Sequence, residues 1–312
     1  MNEFEWRRQL RDLRQPLRPR RDLWTSIEAA LADTPIHLHH DATAAAHISI
    51  SNVKGSVTVI GWDRPEVEVA GQLGEGARPL AITGSDADLA VKVEPQGSSG
   101  WFNWRGDNAM APSSLELHVP RGASLEIHVI SAPLTVDGID GGSIVVNTVS
   151  GKARINARTP SLKIDSISGG IEQAGHAERA DLQTVSGDIL APALGSEARL
   201  QTVSGHVQAA GGPWRKLTLS SVSGDVQLAG KLASDGHLGI DSMSGDVQLQ
   251  LPADTTGALH ASSFSGDLRS DFGTPQKSGH GPGVTLDTRL GTGRGRIDIE
   301  TFSGDLRIRR QD

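Results

Sequence analysis

The sequence predicts an all-β protein: a parallel β-solenoid (β-helix) of coils about 18–21 residues long, with a short N-terminal helical appendage. Three observations predict it. A tetrapeptide recurs eight times, aliphatic residues alternate with period two on both sides of each copy, and the composition is turn-rich, with 37 glycines among 312 residues and only 4% aromatics. Period-two alternation marks short half-buried strands. Repetition at a fixed step marks units that bury their inward faces only by stacking on one another.

The tetrapeptide is [Ser/Thr]-[Val/Ile/Met/Phe]-Ser-Gly. Its glycines are Gly151, Gly169, Gly187, Gly205, Gly224, Gly245, Gly266 and Gly304, separated by 18, 18, 18, 19, 21, 21 and 38 residues. The last interval reads as two steps of 19. Each Ser-Gly reads as a corner, where glycine tolerates positive φ or a close backbone approach. Superposed copies give uniform columns. One is Val149, Ile167, Val185, Val203, Val222, Met243, Phe264 and Phe302; another is Ile171, Ile189, Val207, Val226, Val247, Leu268 and Leu306. In a stacked coil each column becomes a ladder with a step of ~4.8 Å, and both ladders are expected to build a continuous aliphatic core.

From the N-terminus, residues 1–34 form the helical appendage, with Leu10, Leu13 and Leu17, then Trp24, Ile27 and Leu31, at helical spacing around an Arg- and Pro-rich break. Residues 35–129 are an irregular β region of N-terminal coils and cap, which includes an aromatic loop. Two stretches there and just beyond, 51–59 and 130–136, read as degenerate copies of the repeat. Residues 130–312 are the regular Ser-Gly-Asp repeat, interrupted by a loop at 273–283, after which 290–297 is expected to rejoin the stack before the last copy.

Composition excludes several functions. Thirty basic against thirty-seven acidic residues give a net charge of −7, without the basic field of a nucleic-acid binder. The absence of cysteine excludes disulfides, thiolate metal sites and cysteine nucleophiles. No apolar run approaches the ~18 residues of a transmembrane span. The first residues lack the apolar core of a secretory signal, so the chain as it stands reads as cytoplasmic.

Candidate sites are few. Asp188, Asp225, Asp246, Asp267 and Asp305 follow corner glycines, and the column formed by the first four is a weak calcium candidate. The simpler reading is that these carboxylates satisfy backbone donors at the corner. Ser150 through Ser303 form a hydroxyl column in which no His or Asp partner recurs, so structural ladders are expected and no catalytic residue is assigned. His37, His39 and His40 lack partners at a ligand spacing and read as a solvated segment. The loop over 97–112 gathers Trp101, Phe102 and Trp104, the candidate ligand- or partner-binding residues, because aromatic faces suit sugars and protein hot spots.

The [Ser/Thr]-x-Ser-Gly-Asp corners, preceded by Ile48-Ser-Ile-Ser-Asn-Val-Lys-Gly55 and Gly61-Trp-Asp-Arg64, resemble the bacterial putative-adhesin domain family of unknown function, over roughly residues 45–310. The resemblance implies a β-solenoid exported to the cell envelope and brings no catalytic residues and no cofactor.

The expectation is therefore a non-enzymatic β-solenoid scaffold, an adhesin-like protein of the bacterial envelope whose partner is an envelope protein or glycan. Open solenoid ends also invite end-to-end self-association. One alternative is a β-helix carbohydrate-active enzyme, a polysaccharide lyase or hydrolase using the corner carboxylates. A second is a cytoplasmic regulatory protein acting through its N-terminal helices.

Overall fold

The computed structural model describes residues 34–96, 110–277 and 282–311. These residues are strands and turns, with no helix among them. The predicted helical appendage lies outside the described residues, except that Thr34 already opens a strand, Thr34–Asp41.

Coil stacks on coil in parallel register. One inward ladder runs Val91, Ile50, Ile127, Val146, Ile164, Leu182, Leu200, Leu219, Ile240, Ile299, Ala261, each residue paired with the next. All eleven are fully buried. A second ladder forms the other wall of the core and contains Ile171, Ile189, Val207, Val226, Val247, Leu306 and Leu268, as predicted for that column. Like residues stacked one strand apart fill the interior without a large aromatic in each coil, so a chain this poor in aromatics can still close a core.

The repeat does not run in chain order at either end. The last copy is not the last coil. Arg296–Ser303 lies between Val226–Ser244 and Gly257–Ser265, and Leu306–Gln311 lies between Val247–Pro252 and Leu268–Ser270. The corner after Gly245 in space is therefore Gly304, and Gly266 comes last. This corrects the expectation that 290–297 rejoins the stack ahead of a sequential final copy. No coil fills the 38-residue interval. Instead, Val284–Leu290 reverses against Gly257–Ser265 and caps it before the chain turns back inside.

The N-terminal end mirrors this. His47–Trp62 is the second coil, held between Asp88–Lys92 and Ser113–Pro120 outside it and Ser124–Ser131 and Leu134–Asp140 inside it. Antiparallel strands again cover the outermost coil: Ile82–Ser85 on Asp88–Lys92, and Glu66–Leu73 on Ser113–Pro120, with Thr34–Asp41 beyond. Several outermost strands are very short, two residues at Gln276–Lys277 and three at Leu268–Ser270, a device that blunts sheet edges.

The corner glycines are required by close approach. A Cβ on Gly169, Gly187, Gly205, Gly224, Gly304 or Gly266 would fall 2.0–2.2 Å from the carbonyl oxygen of the corner glycine on the preceding coil. Gly224 adds a φ of +140°, which side chains rarely adopt. The residue three before each glycine turns its hydroxyl inward. Ser166 Oγ accepts the Gly169 N–H at 3.0 Å and donates to the Gly169 carbonyl at 2.8 Å, closing the turn on itself. Thr184 also donates to the Gly169 carbonyl, at 3.3 Å. Thr148, Thr202, Ser242 and Thr301 place buried hydroxyls in the same row without a protein partner.

Truncation after residue 295 removes an interior coil and leaves Val226–Ser244 and Gly257–Ser265 unpaired on their facing edges. In urea melts followed by circular dichroism the truncated chain is expected to lose its cooperative transition; a midpoint near that of the full chain would contradict the threading. At the corner, Gly205→Ala is expected to destabilise by about 1–3 kcal/mol or more, through overpacking. Thr202→Val, which removes an unpartnered buried hydroxyl, is expected to leave the urea midpoint unchanged or raise it.

Candidate functional site

The alternation that builds the core also fixes what the corner shows to solvent. Leu217 and Leu219 point inward, so Ser221 points inward and Val222 must point out. Every copy keeps this parity. The column Val149, Ile167, Val185, Val203, Val222, Met243, Phe302, Phe264, in spatial order, is exposed by 42–59%. This corrects the expectation that it is core. Its inward neighbour is the Ser/Thr of the motif, and the core ladder lies two and four residues upstream. Counting by twos from Leu217 was the available signal; the apolar character of the column outweighed it.

Eight rungs at ~4.8 Å make a line of exposed aliphatic and aromatic side chains ~34 Å long. Half-buried Val53 and Ile130 extend it toward the N-terminal end, because Lys54 pairs with Ser131 and Ser131 with Ser150. At the other end, threading of the last coil sets Phe302 against Phe264, with ring centroids 4.9 Å apart and planes 8° from parallel. Alongside runs a second outward row that includes Asp165, Gln183, Gln201, Asp241 and Glu300. Together the two rows floor a groove of about 940 Å³, and Pro282, Gly283, Val284 and Thr285 wall its C-terminal end. No Lys or Arg is among its described lining residues.

The corner carboxylates are engaged elsewhere. Asp188 accepts the His206 N–H at 2.8 Å, Asp225 the Asp246 N–H at 2.9 Å, Asp246 the Asp305 N–H at 3.0 Å and Asp305 the Asp267 N–H at 3.1 Å. Each thus clamps its coil to the next. Arg307 bridges the remaining oxygens of Asp246 and Asp305, at 3.1 and 2.9 Å. Sequence reading missed this arginine because Asp246 and Asp305 become neighbours only through the threaded coil. In the first copy, Lys152 takes the aspartate position and reaches Glu172 on the next coil. Hydrogen bonds from Lys152 and Arg154 hold the Glu172 carboxyl below the usual glutamate range. No group of three or more metal-ligating side chains assembles among the described residues.

The other candidates fall apart from one another. The motif serines are exposed; Ser168 Oγ donates to the Val149 carbonyl at 3.0 Å, from one coil to its neighbour. His37, His39 and His40 sit on the outermost N-terminal strand, Thr34–Asp41, where His37 and His39 are exposed to solvent and His37 lies 3.5 Å from Glu68. Trp101, Phe102 and Trp104 lie outside the described residues. The chain flanking them does not: Gln96 bonds to Gly76 and Ala111 to Glu75, just ahead of Ser113, which pairs with Gly55 on the corner line.

No curated protein matches the chain. Among solved structures, a "putative adhesin" from Parabacteroides merdae is similar at 10% identity and a TM-score of 0.52, over 90% of this chain and 97% of that one. A "putative adhesin" from Bacteroides fragilis is 13% identical over 89% of this chain and 98% of that one, with a TM-score of 0.40. At these identities the first likeness speaks to the fold alone. Residues 45–309 match the model of one family, so the chain belongs to the Toastrack DUF4097 family, a domain of unknown function.

Proposed function

We propose that the protein is a non-enzymatic β-solenoid scaffold, an adhesin-like binding protein of the bacterial cell envelope, which engages an elongated apolar partner along the corner line. The observation that carries this reading is the unbroken row of exposed Val, Ile, Met and Phe, one per coil. Solvent-facing strand positions are ordinarily polar, and a contiguous apolar strip rimmed by polar residues marks an interaction surface. The corner itself does not need these side chains, since glycine, the inward hydroxyl and the aspartate clamp close it. Trp101, Phe102 and Trp104 would add a second contact, because the described residues on either side of them, Gln96 and Ala111, lie by the same edge.

The alternative of a carbohydrate-active enzyme draws less support. Its carboxylates would come from the aspartate column, whose members bind amide N–H groups of the next coil instead of converging on a shared space. General acid–base work on a glycosidic bond needs two carboxyls facing one cleft.

The test is co-sedimentation of the full chain with a bacterial cell-envelope fraction. Wild type is expected to co-sediment. The double variant Val203→Asp/Val222→Asp is expected to lose affinity about tenfold or more, equivalent to about 1.4 kcal/mol. Gln227→Asp, exposed on the neighbouring face, should bind as wild type does. Equal binding by the groove variant would overturn the assignment of the site.

A further inference from the structure

We propose that the chain's own N-terminal segment, residues 7–31, docks into the corner groove and competes there with the external partner. This rests on the binding role assigned to the groove above. Residues 1–33 lie outside the described structure and join it at Thr34.

The junction is well placed. Thr34 pairs with Leu73, one residue beyond the Gln72–Ser114 pair, and Ser113 pairs with Gly55. The segment therefore enters the described structure at the N-terminal end of the same edge that carries the exposed apolar row. From there the coils of Val222 and Met243 are nine and ten strand steps away, about 43 and 48 Å at ~4.8 Å per step. Leu10 stands 24 residues before Thr34, and at ~1.5 to ~3.1 Å of rise per residue a chain of that length reaches between ~36 and ~74 Å, which brackets both distances. The segment is the right length to lie along the groove.

Its chemistry also fits. It carries Leu10, Leu13 and Leu17, then Trp24, Ile27 and Leu31 at helical spacing, and seven arginines between Arg7 and Arg21. The groove offers the apolar row and an uncompensated acidic pair. Asp241 and Glu300 occupy partnered positions on adjacent parallel strands. Like charges at such positions repel. Neither has an ion-pair partner among the described residues, whereas Asp165, further along the same row, has Lys163 at 3.3 Å. A cation brought in by the occupant relieves that repulsion, and Arg7, Arg8 and Arg11 fall at that depth when Leu10 reaches Met243.

The native chain contains no cysteine, so engineered pairs report without background. Leu10→Cys is combined in the full chain with Val222→Cys in the groove, or with Asp235→Cys, exposed on the opposite edge of the same coil. All three sites lie outside the core ladders, and circular dichroism melts check each variant's fold. Under mild oxidation the groove pair is expected to give a monomeric intramolecular disulfide at least tenfold faster than the Asp235 pair. Adding Asp241→Lys and Glu300→Lys should slow it severalfold. The oxidised groove pair should bind the envelope fraction severalfold more weakly, and reduction should restore binding. Disulfide-linked dimers would assign the groove to a second copy, and equal rates for the two pairs would show no docking; either overturns the proposal. If the Val203→Asp/Val222→Asp variant still loses envelope binding in those cases, the binding role of the groove stands without the latch.

Discussion

The structure depends on how closely two glycines pass at each corner. Backbone atoms of successive corners approach until no Cβ fits between them, and that contact brings the coils to hydrogen-bonding distance on both walls. The rest of the motif follows from the corner. The residue three before glycine must turn inward, where a small hydroxyl can bond the turn. The residue after the hydroxyl must turn outward, and the one after glycine is placed to catch the next coil's amide with a carboxylate. Four positions thus have four separate duties, and only the outward one is free of the corner's own needs. That this free position is apolar in all eight copies is what turns a structural repeat into a candidate binding line.

A stack of parallel coils has two further problems, its open ends and its fraying termini. Both are met by one arrangement used twice. The chain builds the second coil first at the N-terminal end, wraps the outer coil around it, and caps that with antiparallel strands. At the C-terminal end it lays down the outer coil, caps it, and returns inside. The regular C-terminal strands are therefore not the weakest ones, as they would be in a linear repeat array. The threaded coil also creates contacts that no linear array would have, among them the Phe302–Phe264 stack in the groove and the Arg307 bridge between two corner aspartates.

Much of this was legible in the sequence, for identifiable reasons. Period-two alternation and the tetrapeptide step disclosed the coil, its length and the inward column of Ile171 through Leu306, because a side chain's face in a strand depends only on parity. The outward column was misassigned because Val and Ile are strong core formers, and residue type was weighed above the parity set by Leu217 and Leu219. Spatial order at the ends was not legible. Gly304 fits equally well beside Gly245 or beyond Gly266, since one repeat presents the same edge as another and only the antiparallel return of Val284–Leu290 decides between them. The adjacency of Asp241 and Glu300 was hidden by the same ambiguity.

The central claim is that the exposed apolar row is kept for binding and not for stability. The most direct measurement is the melting temperature of the full chain in which Val185, Val203 and Val222 are all changed to Thr, which keeps β-branching and removes the apolar surface. Solvent-facing substitutions of this kind contribute within about 0.5 kcal/mol each. The account predicts a melting temperature within a few degrees of wild type, about 2–4 °C per kcal/mol for a domain of this order. A fall of ten degrees or more, as for core truncation at Leu200 or Leu219, would contradict it and return the row to the structure's own support.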